Sequence, residues 1–164
     1  MTIIYFKGKR VNTSELFLKS GQAPEFVLTD VNLSDKSLKD FPGKKLLSIN
    51  PSFDTSVCAK TAKHLEIIAK KNPDLKILLI SKDLPFAQSR FCKSENLKNI
   101  VMLSIMHSNQ FARDYGILME DGPLKGLTAR AVFLLNETNE IIYSELVEEV
   151  TNEPDYITLE KQLV

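Results

Sequence analysis

The stretch Asn50-Pro51-Ser52-Phe53-Asp54-Thr55-Ser56-Val57-Cys58 joins two segments of different rhythm. Before it, Leu46-Leu47-Ser48-Ile49-Asn50 is a short apolar run of strand character. After it, Thr55 to Lys71 places Val57, Leu65, Ile68 and Ala69 at helical spacing and stops at Asn72-Pro73. A strand that feeds a helix through a short loop opens a βαβ crossover. The loop then lies beyond the carboxyl end of its strand, where open α/β sheets tend to bind ligands. Thr55 is a suitable N-cap, which puts Cys58 near N3 in the first helical turn. Unpaired N–H groups and the helix dipole there favour an anionic sulfur.

The same alternation runs outward from this loop. Lys76 to Ile80 reads as a strand, Phe86 to Leu97 as a helix that carries Cys92, and Ile100 to Ile105 as a third strand. Gln110 to Tyr115 reads as a helix closed by Gly116. Ala131 to Leu135 and Ile141 to Leu146 pair as a hairpin across Glu137-Thr138-Asn139, and Pro154 begins a last helix. Toward the N-terminus, Ile3-Ile4-Tyr5-Phe6, Lys7-Gly8-Lys9-Arg10 and Val11 form a hairpin. Phe26-Val27-Leu28 follows Pro24 as a candidate strand, and Ser34 to Phe41 as one or two helical turns. This order predicts an α/β fold with a mixed central sheet, helices on both faces and an N-terminal β-hairpin. A thioredoxin-like sandwich fits it, although periodicity alone leaves a small flavodoxin-like fold open. The 164 residues, 43% of them apolar, contain no repeat or linker. They are read as a single domain over 1–164, with 1–13 as a hairpin extension.

Composition excludes several functions. The 21 basic and 21 acidic side chains cancel, so no net field draws the chain to nucleic acid or an anionic membrane. No run approaches the roughly 20 apolar residues of a membrane helix. Met1 to Lys7 lacks the features of a secretion signal, so a soluble, cytoplasmic protein is expected. The Asn-x-Ser/Thr triplets at Asn12, Asn32 and Asn136 are then chance matches. Asp121-Gly122-Pro123-Leu124-Lys125-Gly126 lacks the Gly-Lys-Ser/Thr of a phosphate loop. His64 lies on the far side of its helix from Cys58, and His107 has no metal-ligand spacing around it. No metal and no cofactor are expected.

There are 2 cysteines, Cys58 and Cys92, and no Cys-x-x-Cys, which excludes an ordinary thioredoxin-type reductase. Either the two thiols are inert and packed, or they do redox work. A thiol of pKa about 8.5 is roughly 3% ionised at pH 7. A fall to about 6 ionises roughly 90%, but the lost nucleophilicity cancels most of that, leaving about a two- to threefold gain. A fast thiol enzyme must therefore stabilise charge in its transition state, through the Thr55 hydroxyl, first-turn N–H groups and an arginine. A sulfur sealed in the interior would count against such a role.

Pro51-x-x-x-Thr55-x-x-Cys58 matches the active-site pattern of the peroxiredoxins, which the sequence resembles here. The resemblance narrows to the bacterial thiol peroxidases. It rests on Pro51 to Cys58, on Asp83-Leu84-Pro85-Phe86-Ala87-Gln88-Ser89-Arg90-Phe91-Cys92, on Asp121 to Ala131 and on Glu153-Pro154-Asp155-Tyr156. It implies a thioredoxin fold, peroxide as substrate, thioredoxin as reductant, a homodimer, and neither metal nor prosthetic group. It implies that Cys58 attacks peroxide and that Cys92 resolves the product as an intramolecular disulfide. Thr55 falls on the hydroxyl that bonds the peroxide, Pro51 on the residue that shields the site from water, and Arg130 on the arginine that supports sulfur and leaving oxygen. Without the resemblance, Arg130 would be read as a surface ion-pair residue. A peroxide sensor or relay using the same two thiols is the alternative. A non-catalytic binding module fits poorly with Pro51, Thr55, Cys58 and Arg130 all in place.

Overall fold

A computed structural model describes residues 1–164. The strands are β1 (Ile3–Phe6), β2 (Lys9–Asn12), β3 (Gly21–Gln22), β4 (Leu28–Asp30), β5 (Asp35–Lys36), β6 (Lys45–Ile49), β7 (Lys76–Ser81), β8 (Val101–Ser104), β9 (Ala131–Leu135) and β10 (Glu140–Leu146). The helices are α1 (Ser56–Lys71), α2 (Pro85–Ser94), α3 (Gln110–Asp114) and α4 (Tyr156–Gln162). Strands β1 and β2 form the expected N-terminal hairpin, with Lys7 and Gly8 both at positive φ in its turn. The other eight strands form one sheet in the order β3-β10-β9-β6-β7-β8-β4-β5. Strands β6, β7 and β8 run parallel through the crossovers α1 and α2, and the remaining pairings are antiparallel, so the sheet is mixed.

Alternation along the strands sorts the core into two layers. Leu46, Ile77, Leu79, Val132 and Leu134 face α1 and α4, where they meet Ala62, Leu65, Ile68 and Leu159. Leu47, Ile49, Leu78, Ile80, Phe133 and Leu135 face the opposite way, toward Phe111, Ala112 and Tyr115 of the α3 region and Ile4 and Val11 of the hairpin. Helices thus cover both faces, as expected. Each fully buried leucine or isoleucine in these layers is worth about 1.5–3 kcal/mol of transfer free energy. Gly116 ends α3 at φ +70, and a Cβ there would sit 2.0 Å from the Leu16 carbonyl oxygen, so only glycine lets the two backbones meet.

Three local expectations are corrected. The strand predicted at Phe26–Leu28 lies at Leu28–Asp30, because Phe26 turns into the core against Phe111 at 5.5 Å while Thr29 and Asp30 pair with β8. Ser34 to Phe41 is not one or two turns of α-helix. It holds β5 and a single 3-10 turn, Leu38–Asp40, in which Asp40 accepts the Ser37 N–H at 2.8 Å. Helix α2 stops at Ser94 rather than Leu97. Asn96 turns left-handed at φ 55, and the Leu97 N–H closes back on the Cys92 carbonyl at 3.0 Å.

Candidate active site

Thr55 caps α1 as its sequence position predicts. Its hydroxyl oxygen accepts the Cys58 N–H at 3.3 Å, and its O–H donates to the Ser52 carbonyl at 3.2 Å. Cys58 is therefore N3, and its sulfur points inward, since the residue is 1% exposed and packs with Phe53, Ala62 and Leu65. Pro51, seven residues earlier, is also buried, whereas Asp54, Thr55 and Ser56 are exposed. The sulfur is thus sealed from solvent in this arrangement, which counts against a reactive role for it as it stands, so peroxide reaches it only when the site opens.

Arg130 sits one residue before β9 and is 2% exposed. Its Nη1 donates to the Cys58 Sγ at 3.1 Å and to Asn50 Oδ1 at 2.9 Å, and its Nε donates to the Val150 carbonyl at 3.1 Å. The ion pairs of the chain are Lys63–Glu95 and Arg113–Glu120, His64 lies 3.7 Å from Glu160, and none of these contacts involves Arg130. A buried guanidinium is costly without an opposite charge, and here the one partner able to carry such a charge is the sulfur. Asn50 is held in turn. Its carbonyl accepts the Thr128 hydroxyl at 3.0 Å, and its Nδ2 donates to the Ser48 carbonyl at 3.2 Å.

Cys92 lies in a different setting. It is half-buried on α2, and its thiol donates to the Leu97 carbonyl at 3.1 Å. Burial, and then the nearby Glu66 carboxyl, hold its pKa above the ordinary thiol value. Burial disfavours charge on Glu66 itself. The N–H groups of Lys98 and Asn99 outweigh this and keep its carboxyl below the usual range. Both cysteines are free thiols in this structure. The rings of Phe53 and Phe91, which stack with centroids 4.9 Å apart, link the loop before α1 to the residue preceding Cys92.

Of the five residues singled out from sequence, Arg130 reaches the Cys58 sulfur, Thr55 bonds the Cys58 N–H, and Pro51 is buried in the loop leading to α1. Cys92 stands on the neighbouring crossover helix. His64 packs against Tyr156 at 3.8 Å, with rings 7° apart, and takes no part in this cluster. Asn50 and Thr128 escaped the sequence reading. Their one signal there is proximity, Asn50 next to Pro51 and Thr128 two residues before Arg130.

Residues 19–159 match the redoxin family. The chain belongs to this family. Among curated relatives of this redoxin, a thiol peroxidase of Corynebacterium glutamicum is 42% identical over 158 residues, which is 95% of each chain. A peroxiredoxin-like protein from Aquifex aeolicus superposes with a TM-score of 0.91 at 32% identity, over 99% of this redoxin and 96% of that chain. A thiol peroxidase from Chromobacterium violaceum superposes with a TM-score of 0.91 at 26% identity, over 98% and 94% of the two chains. The thioredoxin-like sandwich expected from the order of elements holds.

Proposed function

We propose that this redoxin is a thiol peroxidase in which Cys58 reduces hydrogen peroxide and organic hydroperoxides. The observation that carries this reading is the 3.1 Å contact between the buried Arg130 guanidinium and the Cys58 sulfur. The sulfur of Cys58, as thiolate, attacks one peroxide oxygen. An S–O bond forms, the O–O bond breaks, and water or an alcohol leaves once its oxygen is protonated. Charge moves from sulfur to the departing oxygen, so donors already fixed at the sulfur stabilise the transition state without reorganising. Arg130 Nη1 is such a donor. Pro51 fills space that water would occupy, and the Thr55 hydroxyl exchanges its bond to the Ser52 carbonyl for one to a bound peroxide. Entry to the buried sulfur needs brief opening of the exposed Asp54–Ser56 turn.

The Cys58 sulfenic acid then condenses with Cys92. An intramolecular disulfide forms and water leaves. Closing so long a loop is worth about 4 kcal/mol in the chain-entropy model. Thioredoxin reduces the disulfide by exchange. A cytoplasmic homodimer is the expected working form, and the exposed Leu84 and Phe86 at the start of α2 offer apolar surface to a second copy. The test is a titration of reduced protein with one equivalent of hydrogen peroxide, followed by thiol counting and peptide mapping. Loss of both thiols with a Cys58–Cys92 link inside one chain is expected. Unchanged thiols, or a link only between chains, would overturn the reading.

A further inference from the structure

One carboxyl ties the reactive loop to the resolving helix, and the chemistry above makes no use of it. Asp83 lies in the turn between β7 and α2. Its Oδ1 accepts the Ser52 hydroxyl at 2.9 Å, and its Oδ2 accepts the Phe53 N–H at 2.8 Å and the Ser81 hydroxyl at 2.8 Å. Hydrogen bonds to an ionised acceptor are roughly twice as strong as neutral ones, so this is a strong polar tie between the two segments. The turn that carries Asp83 is itself fixed. Its carbonyl accepts the buried Ser104 hydroxyl at 2.7 Å. One turn further on, the fully buried Gln88 donates to Ser81 Oγ at 3.1 Å and to the Leu103 carbonyl at 2.9 Å, pinning α2 to the sheet.

From Asp83 a continuous chain leads to the nucleophile. Ser52 donates to Asp83, the Thr55 hydroxyl donates to the Ser52 carbonyl, and the Cys58 N–H donates to that hydroxyl. The Phe53–Phe91 stack runs beside it and ends next to Cys92. The same contacts that hold the first turn of α1 in shape therefore also hold α2 in place. In this arrangement the buried Cys58 and the Leu97-bonded Cys92 are not joined, and a disulfide tolerates little departure from its geometry.

We propose that Asp83 is a positioning residue that times the two half-reactions: while latched it keeps the loop in the form that reacts with peroxide, and its release sets how fast Cys92 reaches oxidised Cys58. This rests on the roles given above to the two cysteines. In the timed step the Cys92 sulfur attacks the sulfenic sulfur of Cys58. The S–S bond forms, the S–O bond breaks, and water departs with the thiol proton. The competing step uses a second peroxide, which oxidises the sulfenic acid to sulfinic acid and is itself reduced to water or alcohol.

The two rates then respond in opposite directions to a weakened latch, whereas general damage would slow both. The experiment is rapid quench of the full-length wild type, Asp83→Asn, Asp83→Ala and Ser52→Ala with excess hydrogen peroxide, with mass spectrometry of Cys58 and Cys92. Asp83→Ala is expected to slow Cys58 oxidation about two- to fivefold and to raise the ratio of disulfide to sulfinic acid about five- to tenfold. Asp83→Asn, which keeps one acceptor oxygen, and Ser52→Ala should fall between it and the wild type. If Asp83→Ala does not fold, those two variants carry the test. A ratio equal to that of the wild type in every folded variant overturns the latch. Absence of both sulfenic acid and disulfide in the wild type would instead show that the proposed function has failed.

Discussion

Cys58 stands at the third position of α1, under a guanidinium and within a capped N-terminal turn. Cys92 stands near the end of α2, beside the Leu97 carbonyl and the Glu66 carboxyl. One sulfur accepts from a guanidinium within an apolar cluster, and the other donates to a carbonyl near a carboxyl. The same side chain thus meets a cationic donor at the first site, whereas at the second its pKa is raised and it donates its proton to a carbonyl. Position along a helix contributes to the contrast, because N-terminal turns offer N–H groups and C-terminal turns offer carbonyls. Two thiols so differently placed need not compete for the same peroxide.

Four substitutions probe that contrast, taken from the largest expected effect down. Cys58→Ser should remove peroxide consumption with dithiothreitol as reductant, a loss of at least about 10³-fold. Cys92→Ser should stop thioredoxin-driven cycling, yet its first oxidation by one equivalent of peroxide should run within about twofold of the wild-type rate. Normal cycling of that variant would mean that another group resolves the sulfenic acid. Arg130→Met keeps much of the buried volume and removes the charge. Single-turnover oxidation of Cys58 should slow by about 10²- to 10³-fold, with iodoacetamide labelling of Cys92 unaltered. Glu66→Gln should do the reverse. Labelling of Cys92 at pH 8 should quicken about two- to fivefold while Cys58 oxidation stays the same.

Alkaline pH gives a gentler probe of the same asymmetry. The Cys92 pKa is raised in the folded chain by burial and by Glu66, so the folded state holds that proton more tightly than the unfolded state does. Its contribution to stability is complete below the unfolded thiol pKa and is lost as pH rises through the raised folded value. Urea melts should therefore show a decline above about pH 9 that is smaller in Cys92→Ser. Equal declines in both proteins would remove the electrostatic difference claimed for this site.

The βαβ rhythm and the N3 placement of Cys58 were legible because both are local. Apolar spacing and a threonine three residues ahead of the cysteine are enough to read them. Arg130 was legible only through the family resemblance. Between two alanines it has no local mark of burial, and its partners Asn50, Cys58 and Val150 come from distant parts of the chain. The early end of α2 was hidden for a similar reason. The N–H groups of Lys98 and Asn99 are captured by Glu66 from α1, a contact that no periodicity in α2 announces. Asp83 lies within a stretch shared with the thiol peroxidases, yet its three acceptor contacts depend on how two crossovers lie side by side.

The hairpin at the start of the chain reaches further than its position suggests. Tyr5 of β1 donates to the Glu148 carbonyl at 2.7 Å and accepts the Val150 N–H at 2.8 Å. The carbonyl of that same Val150 aims Arg130 through its Nε. The opening residues therefore brace the stretch of backbone that holds the Arg130 guanidinium. A shortened or shifted first strand would misdirect the guanidinium while leaving every residue around the sulfur chemically intact.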